Sequence, residues 1–419
     1  MGGAYEIETP SGQPAEGFSV CSKCFGDHFI QAFILSSAQS YVCDFCGRKT
    51  RSRATAAPLD EVFEFILLAI GREYERAVDA LGWNGAEGGF QGKNWDSHEL
   101  LEDVIGIELP RDDGRLLDIL VKCLGDEQWC ERDPYALRPD ERLIGSWTDF
   151  CEFIKHKRRY FFMRQSARNL LAAPEYLSPS ELLGFIGDAV QEHSLICELP
   201  EGSLIYRARQ QKPGQIFRTP SDFGPPPVSN ALRSNRMSPA GIVMFYGSSE
   251  RETAIAEIDD NPQLGIVVGT FRTMRKSRVL DLTRLPRRLG FFEQQSDSST
   301  VDRYALDFLH NFVKSLAAKV APGEREHIDY VPTQVVTEWF RSSFQPTESP
   351  LDGIWYPSSQ LQKGRSVVLF SDRYDVILSP RETADVAAAE GTEEWWVRTR
   401  HQRAWLKLMR KRVVRSPGP

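Results

Sequence analysis

Two Cys-x-x-Cys knuckles, Cys21-Ser-Lys-Cys24 and Cys43-Asp-Phe-Cys46, stand eighteen residues apart near the start of this 419-residue chain, and they constrain its local fold more than any other stretch. Each knuckle turns back so that two thiolates face one point, and two such pairs supply the four ligands of a tetrahedral zinc ribbon. Four thiolates close the coordination sphere, so the expected Zn2+ is structural and offers no open position for chemistry. Two disulfides or free thiols are the competing readings; a cytoplasmic setting disfavours the first and the paired spacing the second. His28 lies between the knuckles and could replace one ligand, although a solvated histidine is the simpler reading. Cys123, Cys130, Cys151 and Cys197 lack knuckle spacing and read as packing residues or isolated thiols.

The length suits two or three domains, each with its own core. Hydrophobic residues at 41% and charged residues at 26% exclude a disordered chain. A net charge of −7 gives no overall case for nucleic acid. The longest apolar window, Phe63 to Ile70, is interrupted by Glu64 and is far too short for a membrane span. The first residues, Met-Gly-Gly-Ala-Tyr-Glu, carry neither the basic and apolar regions of a secretory signal nor the Ser or Thr needed for myristoylation. A cytoplasmic location is the expectation.

From Pro58 the apolar residues follow a helical period, with Val62, Phe63, Ile66, Leu67 and Ile70 on one stripe that continues to Leu81. Leu116 to Cys123 and Trp147 to Ile154 read as further helices, and the Gly-rich Gly82 to Gly92 reads as a loop. Lys155-His-Lys-Arg-Arg159 concentrates positive charge that could meet phosphate, but a solvated helix end is the simpler reading. A junction falls between Ala172-Ala-Pro174 and Ser178-Pro-Ser180, and a helix opens at Ser180. Farther on, Leu264 to Phe271 and Arg278 to Leu282 read as strands, and Tyr304 to Ala318 and a segment through Trp339 read as helices. The class is α+β. The expected domains are 1–57 (zinc ribbon), 58–172 (mainly helical), 178–379 (the mixed domain) and 380–419, an acidic linker followed by one exposed basic helix. Val397 to Pro419 holds eight Lys or Arg and no acid, so nucleic acid or a partner could bind there.

Three polar anchors sit within short apolar segments of the C-terminal half. Arg207 lies in Ser203-Leu-Ile-Tyr-Arg-Ala-Arg209, Glu257 in Thr253-Ala-Ile-Ala-Glu-Ile258, and Ser358 after Asp352-Gly-Ile-Trp-Tyr-Pro357. Such groups are costly to desolvate unless paired or facing a ligand. With Asn235-Arg-Met-Ser-Pro-Ala-Gly241, Ile242 to Gly247 and Ser366 to Phe370, these segments resemble the RES family, named for its Arg, Glu and Ser. The resemblance implies an ADP-ribosyltransferase-like mixed β core and NAD as substrate. The N-terminal half is similar to the zinc-bearing helical domain found ahead of RES domains and grouped with HEPN proteins. HEPN nucleases carry an Arg, four to six residues, then a His; no such pair occurs in 58–170, which argues against ribonuclease activity.

Breaking the nicotinamide-ribose bond of NAD creates an oxocarbenium-like ribose. That chemistry calls for cations at the pyrophosphate, a flat wall for the ring and a carboxylate near the 2′-hydroxyl. By resemblance, Arg207, Glu257 and Ser358 are the catalytic candidates, and Arg207, Arg236, Tyr246 and Gln334 the NAD-binding ones. Arg209, two positions along the same strand face, competes for the role of Arg207, and Ser359 makes the serine ambiguous by one residue. Family members commonly carry Arg-Trp-Asn where this chain has Arg236-Met-Ser238. No Gly-x-Gly-x-x-Gly follows a strand and no Gly-x-Ser-x-Gly occurs, so hydride and acyl transfer are disfavoured. The expected function is a toxin-type NAD glycohydrolase or phosphorylase. ADP-ribosyl transfer to a protein or nucleic acid and a non-catalytic NAD-sensing module are the alternatives. An antitoxin or immunity protein and a second copy of the chain are the expected protein partners, and no membrane.

Overall fold

The computed structural model describes residues 15–160, 162, 175–259, 261–293, 299–320, 325–345 and 349–415. They form two compact units. One comprises the residues up to Glu141 together with Arg288–Leu306, the other Arg142–Arg287 together with the residues from Asp307. Of the junction expected from Ala172 to Ser180, residues 172–174 lie outside the described residues, and Ser178 opens a helix of the second unit.

In the first unit the strand Ser19–Cys21 pairs antiparallel with Ala56–Pro58, bringing the first knuckle beside the start of the helical region. Helix α1, His28–Ser36, begins where the Asp27 carboxylate accepts the Phe29 and Ile30 N–H groups, which satisfies donors that a helix start leaves open. Helix α2, Leu59–Glu73, buries the stripe read from the sequence, including Val62, Phe63, Ile66 and Ile70. Helix α3, Arg115–Leu124, buries Leu116, Leu120 and Cys123 against the same core. Burial pushes the thiols of Cys123 and Cys130 up to about 11, so both behave as packing groups. The region is less purely helical than expected. Tyr74–Arg76, Gln128–Glu131 and Trp95–Asp96 form a small sheet, and the expected loop at Gly82–Gly92 holds a two-rung hairpin closed by Trp83 against Phe90 at 5.0 Å.

A segment from far along the chain completes this core. Phe292 is buried in it, Phe291 packs against Tyr74, and Glu73 accepts hydrogen bonds from Arg303 and from the Tyr304 hydroxyl.

The second unit contains most of helix α4, Pro139–His156, and helix α5, Pro179–Glu192, which is opened by a reciprocal Ser178–Glu181 cap. Its sheet has eight strands: β1 Ile196–Leu199, β2 Leu204–Gln211, β3 Phe245–Ser248, β4 Gly265–Thr273, β5 Ser277–Asp281, β6 Gly353–Pro357, β7 Arg365–Leu369 and β8 Leu406–Arg415. Their spatial order is β8-β4-β2-β3-β7-β6-β5-β1. Only β5 and β6 run parallel; the other neighbours are antiparallel. Helix α6, Arg251–Ala256, follows β3, and α7, Ser299–Ala317, and α8, Val331–Ser342, lie between β5 and β6 in sequence. Leu182, Ile186, Phe308, Phe312, Phe340 and Val368 share one core, while Phe245, Phe271, Trp355, Val367 and Leu406 form another.

The tail departs from the expectation of one basic helix. Helices α9, Pro380–Glu390, and α10, Glu394–Arg400, are followed by β8, an edge strand paired with β4 from Thr273↔Leu406 to Ile266↔Arg415. Two register shifts interrupt this ladder, so the alternation that marks a strand is broken in the sequence. The sheet thus extends past the boundary expected at residue 379. Lys155, at the end of α4, is engaged by Asp329 at 3.2 Å. No helix among the described residues is long and apolar enough to cross a membrane.

Candidate active site

Strands β2 and β4 pair at eight positions, but β2 and β3 share a single pair, Tyr206↔Ser248. Beyond it the two strands part, and a cleft of about 430 Å³ borders the split. Gly247 permits the approach at the pair, because a Cβ there would lie 2.5 Å from Ile205 Cγ2 and 3.0 Å from the Tyr206 carbonyl. The cleft floor is one row across the sheet, Tyr206, Ser248, Ser366 and Tyr356, each in register with the next.

Arg207 enters the cleft from β2 with 8% of its surface exposed. Its guanidinium lies 4.8 Å from the Phe245 ring, and Nη1 has no hydrogen-bond partner among the described residues. Burial and the neighbouring Arg209 cation push its pKa well below the usual range. A guanidinium does not give up its proton under ordinary conditions, so the chain carries a buried cation in want of an anion. Arg209 also lines the cleft. Its Nη2 donates to the Gly224 carbonyl at 2.6 Å while Nε is buried without a partner among the described residues. Arg236 stacks on Tyr356 at 5.6 Å, and its Nε likewise has no partner among the described residues.

Glu257 caps the C-terminus of α6. Its Oε1 accepts from Ser358 Oγ at 2.6 Å and from Ser366 Oγ at 3.1 Å. Both hydroxyls use the same oxygen, and Oε2 has no hydrogen-bond partner among the described residues. Ser358 Oγ also accepts the Gln360 and Leu361 N–H groups at 3.1 and 3.2 Å, so it holds a turn and the carboxylate together. Ser359 accepts from Arg236 Nη2 at 3.1 Å. The two adjacent serines therefore serve different partners. Ser358 stands behind Glu257, on the wall of a neighbouring 520 Å³ cavity shared with Leu282 and Val313.

The Tyr246 ring lines the cleft, and its hydroxyl meets Ser238 Oγ at 2.9 Å. Burial pushes this phenol up to about 12, against the lowering effect of Ser238. The residues that depart from the family's usual Arg-Trp-Asn thus have local roles: Ser238 pairs with Tyr246, and Met237 is buried against Thr337.

Gln334 does not line the cleft. It is buried on α8, and its Nε2 donates to the Asn235 carbonyl at 2.8 Å, while Thr333 donates to the Arg236 carbonyl. An amide opening a helix can face a ligand or a neighbouring backbone, and here the loop carrying Arg236 takes its donor. Sequence reasoning missed Ser366, Ser248 and Tyr356. The signal was a polar residue facing a polar residue across paired strands, which depends on a register no single strand encodes.

At the other end of the chain, Cys21, Cys24, Cys43 and Cys46 gather with their sulfur atoms within 4.8 Å of one another. Neighbouring sulfurs are 3.5, 3.6 and 3.9 Å apart, close to the ~3.8 Å edge of a tetrahedron with 2.3 Å metal–sulfur bonds. Gly47 turns the second knuckle at a φ of +68°. The set fits a tetrahedral metal ion. His28, on the first turn of α1, is not part of it.

No curated protein and no solved structure matches the chain. Residues 36–168 match the HEPN/RES N-terminal domain 1 and residues 204–391 match the RES domain. Spanning the cleft and every residue that builds it, the second match shows that the chain carries a RES domain, with a HEPN/RES N-terminal domain 1 ahead of it.

Proposed function

We propose that the cleft binds NAD and that Glu257 drives rupture of its nicotinamide-ribose bond, with water as acceptor. RES membership supports an NAD-acting enzyme in general. The observation that carries the finer reading is the meeting of a free carboxylate oxygen on Glu257 with an unpartnered Arg207 guanidinium in one cleft. Arg207 and Arg236 supply forked, charge-assisted donors to the two phosphates. Tyr246 and Tyr356 give flat surfaces for a ring. As the C1′–N bond breaks, its electron pair leaves with nicotinamide, which departs neutral, and positive charge grows on the ribose. The Glu257 carboxylate accepts the 2′-hydroxyl and stabilises that charge, while Ser358 and Ser366 hold it in place. Water adds to C1′ and releases a proton, giving ADP-ribose.

Unchecked turnover of this kind drains the NAD pool, which suits a toxin restrained by a neutralising partner protein. The four-cysteine group is proposed to hold one structural Zn2+, remote in role from the reaction.

Purified protein incubated with NAD should release nicotinamide, and mass analysis should find ADP-ribose. A phosphorylated ADP-ribose would mean phosphate is the acceptor, and a modified protein would mean transfer. Glu257→Gln should keep its fold and NAD binding but cleave at least roughly 10²-fold more slowly. Wild-type turnover in that variant would refute the assignment.

A further inference from the structure

We infer that the cleft takes NADP in preference to NAD, an inference that rests on the NAD-cleaving reading of the same site. Among the described residues Arg207, Arg209, Arg233, Arg236 and Lys319 line it, against two carboxylates, Glu257 and Glu326. The surplus of cations exceeds what a pyrophosphate requires, since NAD brings two phosphate charges and one compensating positive charge on nicotinamide. A third phosphate, as a monoester, adds about −1.5 to −2 at neutral pH. Arginines are the usual partners of such a 2′-phosphate.

Hydrogen bonding points the same way. Arg207, Arg209 and Arg236 each bury an N–H that finds no acceptor among the described residues. Arg207 and Arg209 alternate along β2 and project to one face, so each raises the electrostatic cost of the other. That cost is lowest when anionic oxygens are abundant in the cleft. Arg233 and Lys319 are exposed at its rim and form no ion pair among the described residues. They are not needed for the bond-breaking step, and the third phosphate is assigned to them together with Arg209.

Nicotinamide release should be measured from NAD and from NADP, over a range of salt, for the wild-type chain and for Arg233→Ala/Lys319→Ala. The expected wild-type kcat/KM is at least tenfold higher for NADP, and the gap should narrow as salt screens it. The double variant should lose that advantage while its kcat/KM for NAD stays within twofold of wild type. Equal or slower cleavage of NADP, with NAD still cleaved, overturns this inference alone. So does a preference that survives in the double variant. In a parallel arm NAD is mixed with inorganic phosphate; stimulation by phosphate without a preference for NADP would mean that the surplus charge serves a free anion, again overturning the inference. Nicotinamide from neither dinucleotide would refute the NAD reading itself and this inference with it.

Discussion

Replacing Arg207 by Met should make the RES unit more stable and useless. Arg207 is 8% exposed with an N–H lacking a partner among the described residues, and leaving a buried donor unpaired costs roughly 1–3 kcal/mol, more when it is charged. Its contact with Phe245 at 4.8 Å returns about 0.5–2 kcal/mol. Methionine fills similar space, keeps contact with the ring and carries no charge to desolvate. The balance favours the variant by about 1 kcal/mol, a rise of roughly 2–4 °C in melting temperature for a unit of this size. NAD should act in the opposite sense. At a hundred times its Kd it stabilises the wild type by about 2.7 kcal/mol, and it should give the variant nothing. Scanning calorimetry with and without NAD reads both effects. A variant that melts below the wild type, or still gains from NAD, would show that Arg207 is satisfied within the fold and is no phosphate ligand.

Metal analysis should find one zinc per chain, and strong chelation should abolish the near-ultraviolet dichroism of the N-terminal unit, because apparent zinc binding of about 10–16 kcal/mol doubles as folding energy. An unaltered spectrum after complete metal removal would count against this. Gln334→Leu should raise KM several-fold with kcat nearly unchanged, because its amide acts through the Asn235 carbonyl on the loop bearing Arg236; an unchanged KM would assign it to packing alone. Stability should also fall in alkali. Tyr246 titrates near 12 in the folded chain against an ordinary 10.0, so its contribution is complete below pH 10 and lost as pH rises through 12, and Tyr246→Phe should flatten that decline in urea titrations.

Much of the site was legible because its chemistry is written in short segments. Arg207, Glu257, Ser358 and Tyr246 each lie in a local pattern that the RES resemblance identifies, and the knuckles specify their own geometry. What escaped the sequence depends on pairing between distant strands. Ser366 matters because it lies beside Tyr356 and Ser248 in register, and Gln334 turned away from the cleft because a loop carbonyl some hundred residues distant accepts its proton. The tail was misread for a related reason: two shifts in the β4–β8 ladder hide a strand behind an uneven spacing of Leu and Val. Nor does any local pattern reveal that Phe292 belongs to the first core.

That last packing arrangement sets a timetable for synthesis. The N-terminal unit draws Arg288–Leu306 into its core, so it cannot finish folding when its own first 141 residues have emerged; it must wait for a stretch made in the middle of the RES domain. At roughly 5–20 residues per second the delay is on the order of ten seconds, during which Glu73 and Tyr74 lack their final neighbours. The sheet beside the cleft waits longer still for Leu406–Arg415. Domains read as beads on a string would mature one after the other; here one unit takes its last segment from within the sequence of the other, and a ribosome stalled between the two halves would hold neither in finished form.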